Sequence, residues 1–252
     1  MQTVICGDGP MGRALAAALS EAGHRADVLG RPAAGNHAQT AFGQADVCFD
    51  FSVGRAVVDN VRSALAGGCR RLVIGTTGWN DDHELVDGLL RQHDAAAVVA
   101  PTFSPGVTLF LSLAEEAARR FGALEGYDPY IMEWHRAAKL DRPSGTAGEL
   151  ARRVIAAHPR KQRLADPGRD GRAAPDELEL VSVRAGESPG MHLLGFDAAG
   201  ETLELRLTAR DRRAYAAGAL LAAEWLMREL RAAGMHAFSA VVDELVATPA
   251  PA

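Results

Sequence analysis

Thr3-Val4-Ile5-Cys6-Gly7-Asp8-Gly9-Pro10-Met11-Gly12 is the stretch on which the reading of the fold turns. Thr3 to Cys6 makes a short, largely apolar strand, and three glycines follow in the spacing G-x-G-x-x-G. Met11, Leu15, Ala18, Leu19 and Ala22 then share one stripe of a helix. Gly7 permits the turn, Gly9 lets a diphosphate approach the backbone, and Gly12 lets the helix pack closely on the strand. The spacing alone is a weak signal. With a strand before it and a helix after it, it reads as a dinucleotide-binding turn, with Pro10 and Met11 at the mouth of the helix.

The segments that follow repeat the same theme. A second strand spans Arg25 to Leu29. An acid at the end of that strand would take a ribose 2′-hydroxyl, but Asp27 falls inside the strand and Gly30-Arg31 stand at its end. Arg31 is placed to meet a 2′-phosphate, which favours NADPH over NADH; read alone, it is also an ordinary solvated Arg. Asp46 to Phe51 is a third strand, turning at Ser52-Val53-Gly54 into a helix. Arg71 to Ile74 is a fourth, running into Gly75-Thr76-Thr77-Gly78, and Ala96 to Ala100 a fifth, meeting Pro101-Thr102-Phe103-Ser104-Pro105-Gly106. Continuous apolar strands separated by helices predict a parallel sheet covered on both faces, with its ligand crevice at the carboxyl ends of the strands. The candidate cofactor residues are therefore Gly7, Gly9, Pro10, Met11, Gly12, Arg31, Phe51, Ser52, Gly75, Thr76, Thr77, Ala100, Pro101, Thr102 and Phe103.

After a helix from about Val107 to Phe121 the pattern changes. Tyr130 to His135 alternates, placing Ile131, Glu133 and His135 on one face and Tyr130, Met132 and Trp134 on the other. A polar loop ends at Pro143, Ser144 reads as an N-cap, and Ala147, Leu150, Ala151, Val154 and Ile155 form the stripe of an amphipathic helix. The amides of Gly145 and Thr146, with the hydroxyls of Ser144 and Thr146, make an anion site. Lys139 adds positive charge, and His135 can pass a proton near neutral pH. The same segment is also consistent with a capped helix bearing a surface His and Lys. Residues 158–176 read as a long exposed loop. Leu178 to Arg184, Met191 to Phe196 and Glu201 to Thr208 read as antiparallel strands joined by tight turns, and helices return from Ala216 to Leu230 and from Ala237 to Val246. Two sheet types predict two domains: 1–104 with 213–252 for the dinucleotide, and 105–212 for the substrate.

Bulk properties narrow the function classes. The 252 residues are 48% hydrophobic and 23% charged, which is ordinary for a globular chain. A net charge of -5 argues against a nucleic-acid partner. No run of ~20 apolar residues is present to span a bilayer. Three cysteines without ligand spacing imply reduced thiols, a cytoplasmic setting and no metal. The only two lysines are Lys139 and Lys161, the other basic residues being Arg. A Lys within the central motif is therefore notable, since Lys can release a proton and Arg effectively cannot.

Together these residues resemble the 4-hydroxy-tetrahydrodipicolinate reductase (dihydrodipicolinate reductase) family. The resemblance rests on Met11-Gly12-Arg13, Asp50-Phe51-Ser52, Gly75-Thr76-Thr77-Gly78 and Phe103-Ser104 with Gly106-Val107. Most specific are Glu133, His135, Lys139, Asp141 and Pro143-Ser144-Gly145-Thr146-Ala147, with later echoes at Val183-Arg184-Ala185-Gly186, Gly190, His192 and Tyr215-Ala216. The resemblance implies a Rossmann domain plus an α+β substrate domain whose open mixed sheet joins a homotetramer. It also implies NADPH or NADH as hydride donor to a cyclic imine dicarboxylate, with His135 as general acid and Lys139 as proton donor. Gly145 and Thr146 would hold a carboxylate. Three departures stand out: Arg136 occupies the place of a second His, Pro10 stands where the family has Arg, and Gly30 replaces an acid. Arg136 could still grip a carboxylate, but it also leaves open a related dehydrogenase acting on another imine or keto acid.

Overall fold

The structure is a computed structural model that describes residues 1–30, 41–166, 168 and 170–247. The chain divides into two compact units, Met1–Pro105 with Arg212–Ala252, and Gly106–Asp211.

The first unit contains strands β1 (Gln2–Cys6), β2 (Arg25–Leu29), β3 (Val47–Asp50), β4 (Arg71–Ile74), β5 (Ala96–Val99) and β11 (Gly234–Ala237). They form one parallel sheet in the order β11-β5-β4-β3-β1-β2. Its helices are α1 (Pro10–Glu21), α2 (Val57–Ala66), α3 (His83–Gln92), α6 (Arg213–Arg228) and α7 (Phe238–Ala247). Strand alternation builds both cores. Val4, Cys48, Leu72, Ile74 and Ala97 pack against Val57, Val61 and Leu65 of α2 and Val86 and Leu90 of α3. Ile5, Phe49, Val73 and Val98 pack on the other face against Leu15 and Leu19 of α1, Ala216, Ala219 and Ala223 of α6, and Phe238 of α7. Each fully buried aliphatic side chain stabilises the fold by roughly 1.5–3 kcal/mol. A Cβ on Gly218 would fall 1.6 Å from the Phe103 carbonyl oxygen, so α6 lies directly on the backbone beyond β5. The sequence reading missed β11. Gly234-Met235-His236-Ala237 contains no β-branched residue, and its extended form is supplied by pairing beside β5. The last helix accordingly begins one residue later than expected.

The second unit contains α4 (which starts at Pro105 and runs to Gly122), α5 (Gly145–Ala157), β6 (Asp128–His135), β7 (Arg163–Leu164), β8 (Glu177–Arg184), β9 (Met191–Asp197) and β10 (Thr202–Thr208). Its sheet order is β10-β9-β6-β8-β7. Val107, Phe110 and Ala114 of α4, with Leu150, Ala151 and Val154 of α5, cover Ile131, Leu178, Leu194 and Phe196 on one face. The expectation of three successive antiparallel strands needs correction. β9 and β10 are antiparallel, but β8 runs parallel to β6, which lies between β8 and β9. The 185–190 connection crosses the end of β6, where its Ser188 and Gly186 carbonyls accept from Arg136 N (2.8 Å) and Ala137 N (3.0 Å). Residues 158–176 are likewise more than an exposed loop. They contain β7, paired with β8, and a buried Lys161 whose ammonium meets Asp128 at 2.6 Å.

Candidate active site

In the first unit the glycine turn has the geometry its spacing demands. Gly7 has φ +117°, and a Cβ there would lie 2.4 Å from the Phe51 carbonyl oxygen; one on Gly12 would lie 2.0 Å from Gly7 O, whereas one on Gly9 would meet open space. A cavity of about 760 Å³ is lined by Gly7, Asp8, Gly9, Leu29, Gly30, Phe51, Ser52 and Arg55, among others. A second, of about 250 Å³, is lined by Met11, Phe51, Ser52, Gly75, Thr76, Thr77, Pro101, Thr102 and Phe103, with Tyr215. Of the sequence-derived cofactor residues, Pro10, Gly12 and Ala100 line neither cavity. Pro10 opens α1 without an N–H, Gly12 is packed under the turn, and Ala100 N donates to Ile74 O. Arg31 lies outside the described residues.

A nicotinamide dinucleotide fits these residues. The bare face of Gly9 leaves room for a diphosphate, and α1 presents its amide end with no side-chain cap. In the smaller cavity the Thr102 hydroxyl is enclosed with no hydrogen-bond partner among the described residues, which suits a ligand amide. Two loops of this wall are tied by Asp50, which the sequence reading did not single out as functional. Its carboxylate accepts from Ser52 N (3.0 Å), Ser52 Oγ (2.6 Å), Thr76 Oγ1 (2.6 Å) and Asn60 Nδ2 (2.8 Å). The carboxylate of Asp8 stands beside the residue that follows β2: a Cβ on Gly30 would lie 3.5 Å from its Oδ2.

In the second unit, strand register assembles a buried polar cluster on the helix-covered face. Glu133 stands opposite Ser182 on β8 and His192 on β9, and His135 stands opposite Arg184. Glu133 is fully buried, and its Oε1 accepts from Ser144 N (3.0 Å), Ser182 Oγ (2.6 Å) and Arg184 Nη2 (2.7 Å). Burial alone would raise its pKa, but the bonds from Ser144, Ser182 and Arg184 outweigh it and hold the carboxyl at about 2. Its other oxygen, Oε2, has no hydrogen-bond partner among the described residues and stands 3.2 Å from His135 Nε2 and 3.8 Å from His192 Nε2. Burial pushes the His135 pKa below the usual imidazole value; Glu133 opposes this and Lys139 adds to it. Burial, reinforced by His135, brings His192 down to about 4.

The structure thus brings His135, Lys139, Ser144, Gly145 and Thr146 into one unit, in different roles. Lys139 Nζ pairs with Asp141 at 2.7 Å, and its charge acts on both His135 and His192. Arg184 Nη2 also donates to Asp141 O, which fastens the 136–143 loop to the cluster. Arg136 is exposed, with no side-chain partner among the described residues. Ser144 is turned inward instead of toward a ligand. Its Oγ accepts from Ala147 N (3.2 Å) as the α5 cap and meets His192 Nε2 at 3.2 Å, so its hydroxyl is spent on structure. The amides of Gly145 and Thr146 have no acceptor among the described residues and open at the start of α5. Sequence reasoning did not assign roles to Ser182, Arg184 and His192. Their signal is a polar residue on the inward parity of an otherwise apolar strand.

Comparison with known proteins follows the same division. Residues 1–103 match the family model "Dihydrodipicolinate reductase, N-terminus" and residues 106–241 match "Dihydrodipicolinate reductase, C-terminus". The chain is 34% identical over 191 residues to a 4-hydroxy-tetrahydrodipicolinate reductase of Christiangramia forsetii, covering 76% of this chain and 77% of that one. It is 35% identical over 189 residues to the enzyme of that name from Methanosarcina acetivorans, covering 74% and 69%. In fold it is similar to the dipicolinate-bound dihydrodipicolinate reductase of Paenisporosarcina sp. TG-14, with a TM-score of 0.72 at 22% identity over 94% of this chain and 97% of that one. The chain belongs to the dihydrodipicolinate reductase family.

Proposed function

We propose that this chain catalyses the NAD(P)H-dependent reduction of 4-hydroxy-tetrahydrodipicolinate to tetrahydrodipicolinate in lysine and diaminopimelate biosynthesis. The observation that carries this reading is the match of both halves of the family over residues 1–103 and 106–241. The cluster around His135 supplies the chemistry. Residues 1–105 and 212–252 bind the nucleotide, and residues 106–211 bind the substrate. The bound nicotinamide supplies hydride. The amides of Gly145 and Thr146 hold one substrate carboxylate at the open end of α5, and Arg136 and Lys139 offer positive charge to the dianion. His135 holds the proton that the reduced ring takes up, with Lys139 as a second donor. The 4-hydroxyl leaves as water, hydride addition at C4 then pushes negative charge into the ring, and these cations and the acid stabilise it there.

NADPH is our preferred donor, because β2 ends at Leu29 and is followed by Gly30 and Arg31, without the acid that a 2′-hydroxyl would need. Asp8, beside Gly30, is the one described feature that pulls toward NADH. The oligomer we propose is a homotetramer joined through the outer face of the second sheet, where Trp134 and Val181 are 40% and 51% exposed. The three free, buried thiols favour the cytoplasm, and no described helix is long and apolar enough to cross a membrane.

The test is oxidation of NADPH and NADH by the purified chain, with substrate made in place by condensing aspartate semialdehyde with pyruvate. Rapid oxidation dependent on both precursors supports the reading. No oxidation with either cofactor defeats it and directs attention to another imine or keto acid, the alternative that Arg136 leaves open.

A further inference from the structure

The buried cluster holds two atoms that the reaction outlined above does not use. Glu133 Oε2 and His135 Nε2 are both enclosed and both without a hydrogen-bond partner among the described residues; they stand 3.2 Å apart without the alignment of a hydrogen bond. Two such atoms side by side are costly unless something is shared between them. The nitrogens of His135 and His192 and the carboxylate of Glu133 lie within 4.8 Å of one another, a spacing a divalent ion could span. The charges around them argue for a smaller cation. Arg184 donates to Glu133 at 2.7 Å, and the Lys139 ammonium acts on both imidazoles, so a further double charge would meet two cations. A single proton on the imidazole meets the carboxylate with half that charge.

We infer that Glu133 is a positioning residue for His135: the charge of its free oxygen, 3.2 Å from Nε2, favours a proton on that nitrogen, which makes Nδ1 the nitrogen that serves the substrate. This rests on the reductase reading given above. The ring is fixed from its other side by Gly190, where a Cβ would come within 2.9 Å of His135 Cε1 and 3.2 Å of Nδ1. Glu133 is itself held by Ser144 N, Ser182 and Arg184 through the oxygen that does not face the ring. In the proton-transfer step the Nδ1–H bond of the imidazolium breaks. Its proton joins the electron pair that hydride addition leaves on the substrate ring, and the imidazole becomes neutral with its remaining proton on Nε2, beside Glu133. The charged groups facing His135 are Glu133 on its own strand, Lys139 and Asp141 on the following loop, and Arg184 on β8, with His192 across on β9. Glu133 is the anion among them closest to the ring.

The experiment is ¹⁵N NMR of histidine-labelled, ligand-free protein near neutral pH, with His135 assigned from His135→Gln, together with pH profiles of kcat/KM. The expected result is an unprotonated Nδ1 and a protonated Nε2 at His135. In Glu133→Gln that preference is lost, and the alkaline fall of kcat/KM moves to lower pH by roughly one unit or more, as loss of a neighbouring opposite charge requires. Ser182→Ala leaves the carboxylate with one donor fewer and moves the same limb upward, a direction that mere loss of packing does not produce. A proton on Nδ1 in the wild type, or limbs that stay put in both variants, overturns the assignment. If Glu133→Gln does not fold, the wild-type tautomer and Ser182→Ala decide. The tautomer is read without substrate, so an inactive chain would defeat the reductase reading while leaving this one to be judged separately.

Discussion

Each unit buries one carboxylate at or near the carboxyl end of a strand, and the two are used differently. Asp50, closing β3, has donors on both oxygens: Ser52 and Thr76 on one and Asn60 on the other. Glu133, near the end of β6, crowds its donors onto Oε1 and leaves Oε2 facing an imidazole. A fully satisfied carboxylate is a fastener; one with a bare, enclosed oxygen still has an interaction to make. The contrast separates the residues that shape the nucleotide wall from those we propose to handle the proton.

The largest effects should fall on the unsatisfied side. His135→Gln and Lys139→Ala should each lower kcat by about 100-fold or more, the scale of a lost general acid, with KM for the nicotinamide cofactor unchanged in steady-state assays. Unchanged turnover would make the cluster a structural feature and erase the contrast. Asp50→Ala should act on the other side, removing about 1.5–3 kcal/mol of stability in denaturant titration, as expected when donors to a charged group lose their acceptor. KM for the cofactor should rise, and the pH profile of kcat/KM should keep its shape; a shifted profile would mean that Asp50 also takes part in proton handling.

Asp8→Asn sharpens the contrast within the nucleotide wall. It should raise the NADPH-to-NADH ratio of kcat/KM by roughly tenfold, within the ~1–4 kcal/mol of a like-charge pair about 4 Å apart near a surface. An unchanged ratio removes Asp8 from cofactor choice. The most gradual effect is the pH dependence of stability, at most about 1.4 kcal/mol per pH unit for each group. Burial holds the His158 and His192 pKa values at about 4 against an ordinary 6.5, so the unfolded chain binds more protons between those values. Their stabilisation is therefore complete above 6.5 and lost as pH falls toward 4. Glu133, held at about 2 against 4.5, adds stability that is complete above 4.5 and lost as pH falls through 2. All three belong to the second unit, so hydrogen exchange on acidification should open that unit before the first; the reverse order would refute this.

Some of this was legible from residues in a row and some was not. Strands β1 to β5 show as unbroken apolar runs or follow turn signals, and the glycine turn has the close contacts its spacing implied. Gly234–Ala237 gave no such signal, because its extended form comes from a neighbour, not from its own side chains. Alternation along β6 sorted its faces correctly but could not name its partners. Ser182, Arg184 and His192 reach Glu133 only through a register in which β6 sits between β8 and β9. Ser144 read correctly as a cap, yet the direction of its hydroxyl depends on His192, which is distant in sequence.

The first unit takes its covering helices from both ends of the chain, with residues 106–211 intervening. Until α6, α7 and β11 leave the ribosome, Ile5, Phe49, Val73 and Val98 are covered on one face by α1 alone and β5 has a bare edge. The inserted unit, continuous in sequence, can complete its own core earlier during synthesis. Maturation of the nucleotide wall is thus timed by the last stretch translated, and a premature stop after residue 211 would release a finished second unit tethered to an aggregation-prone sheet.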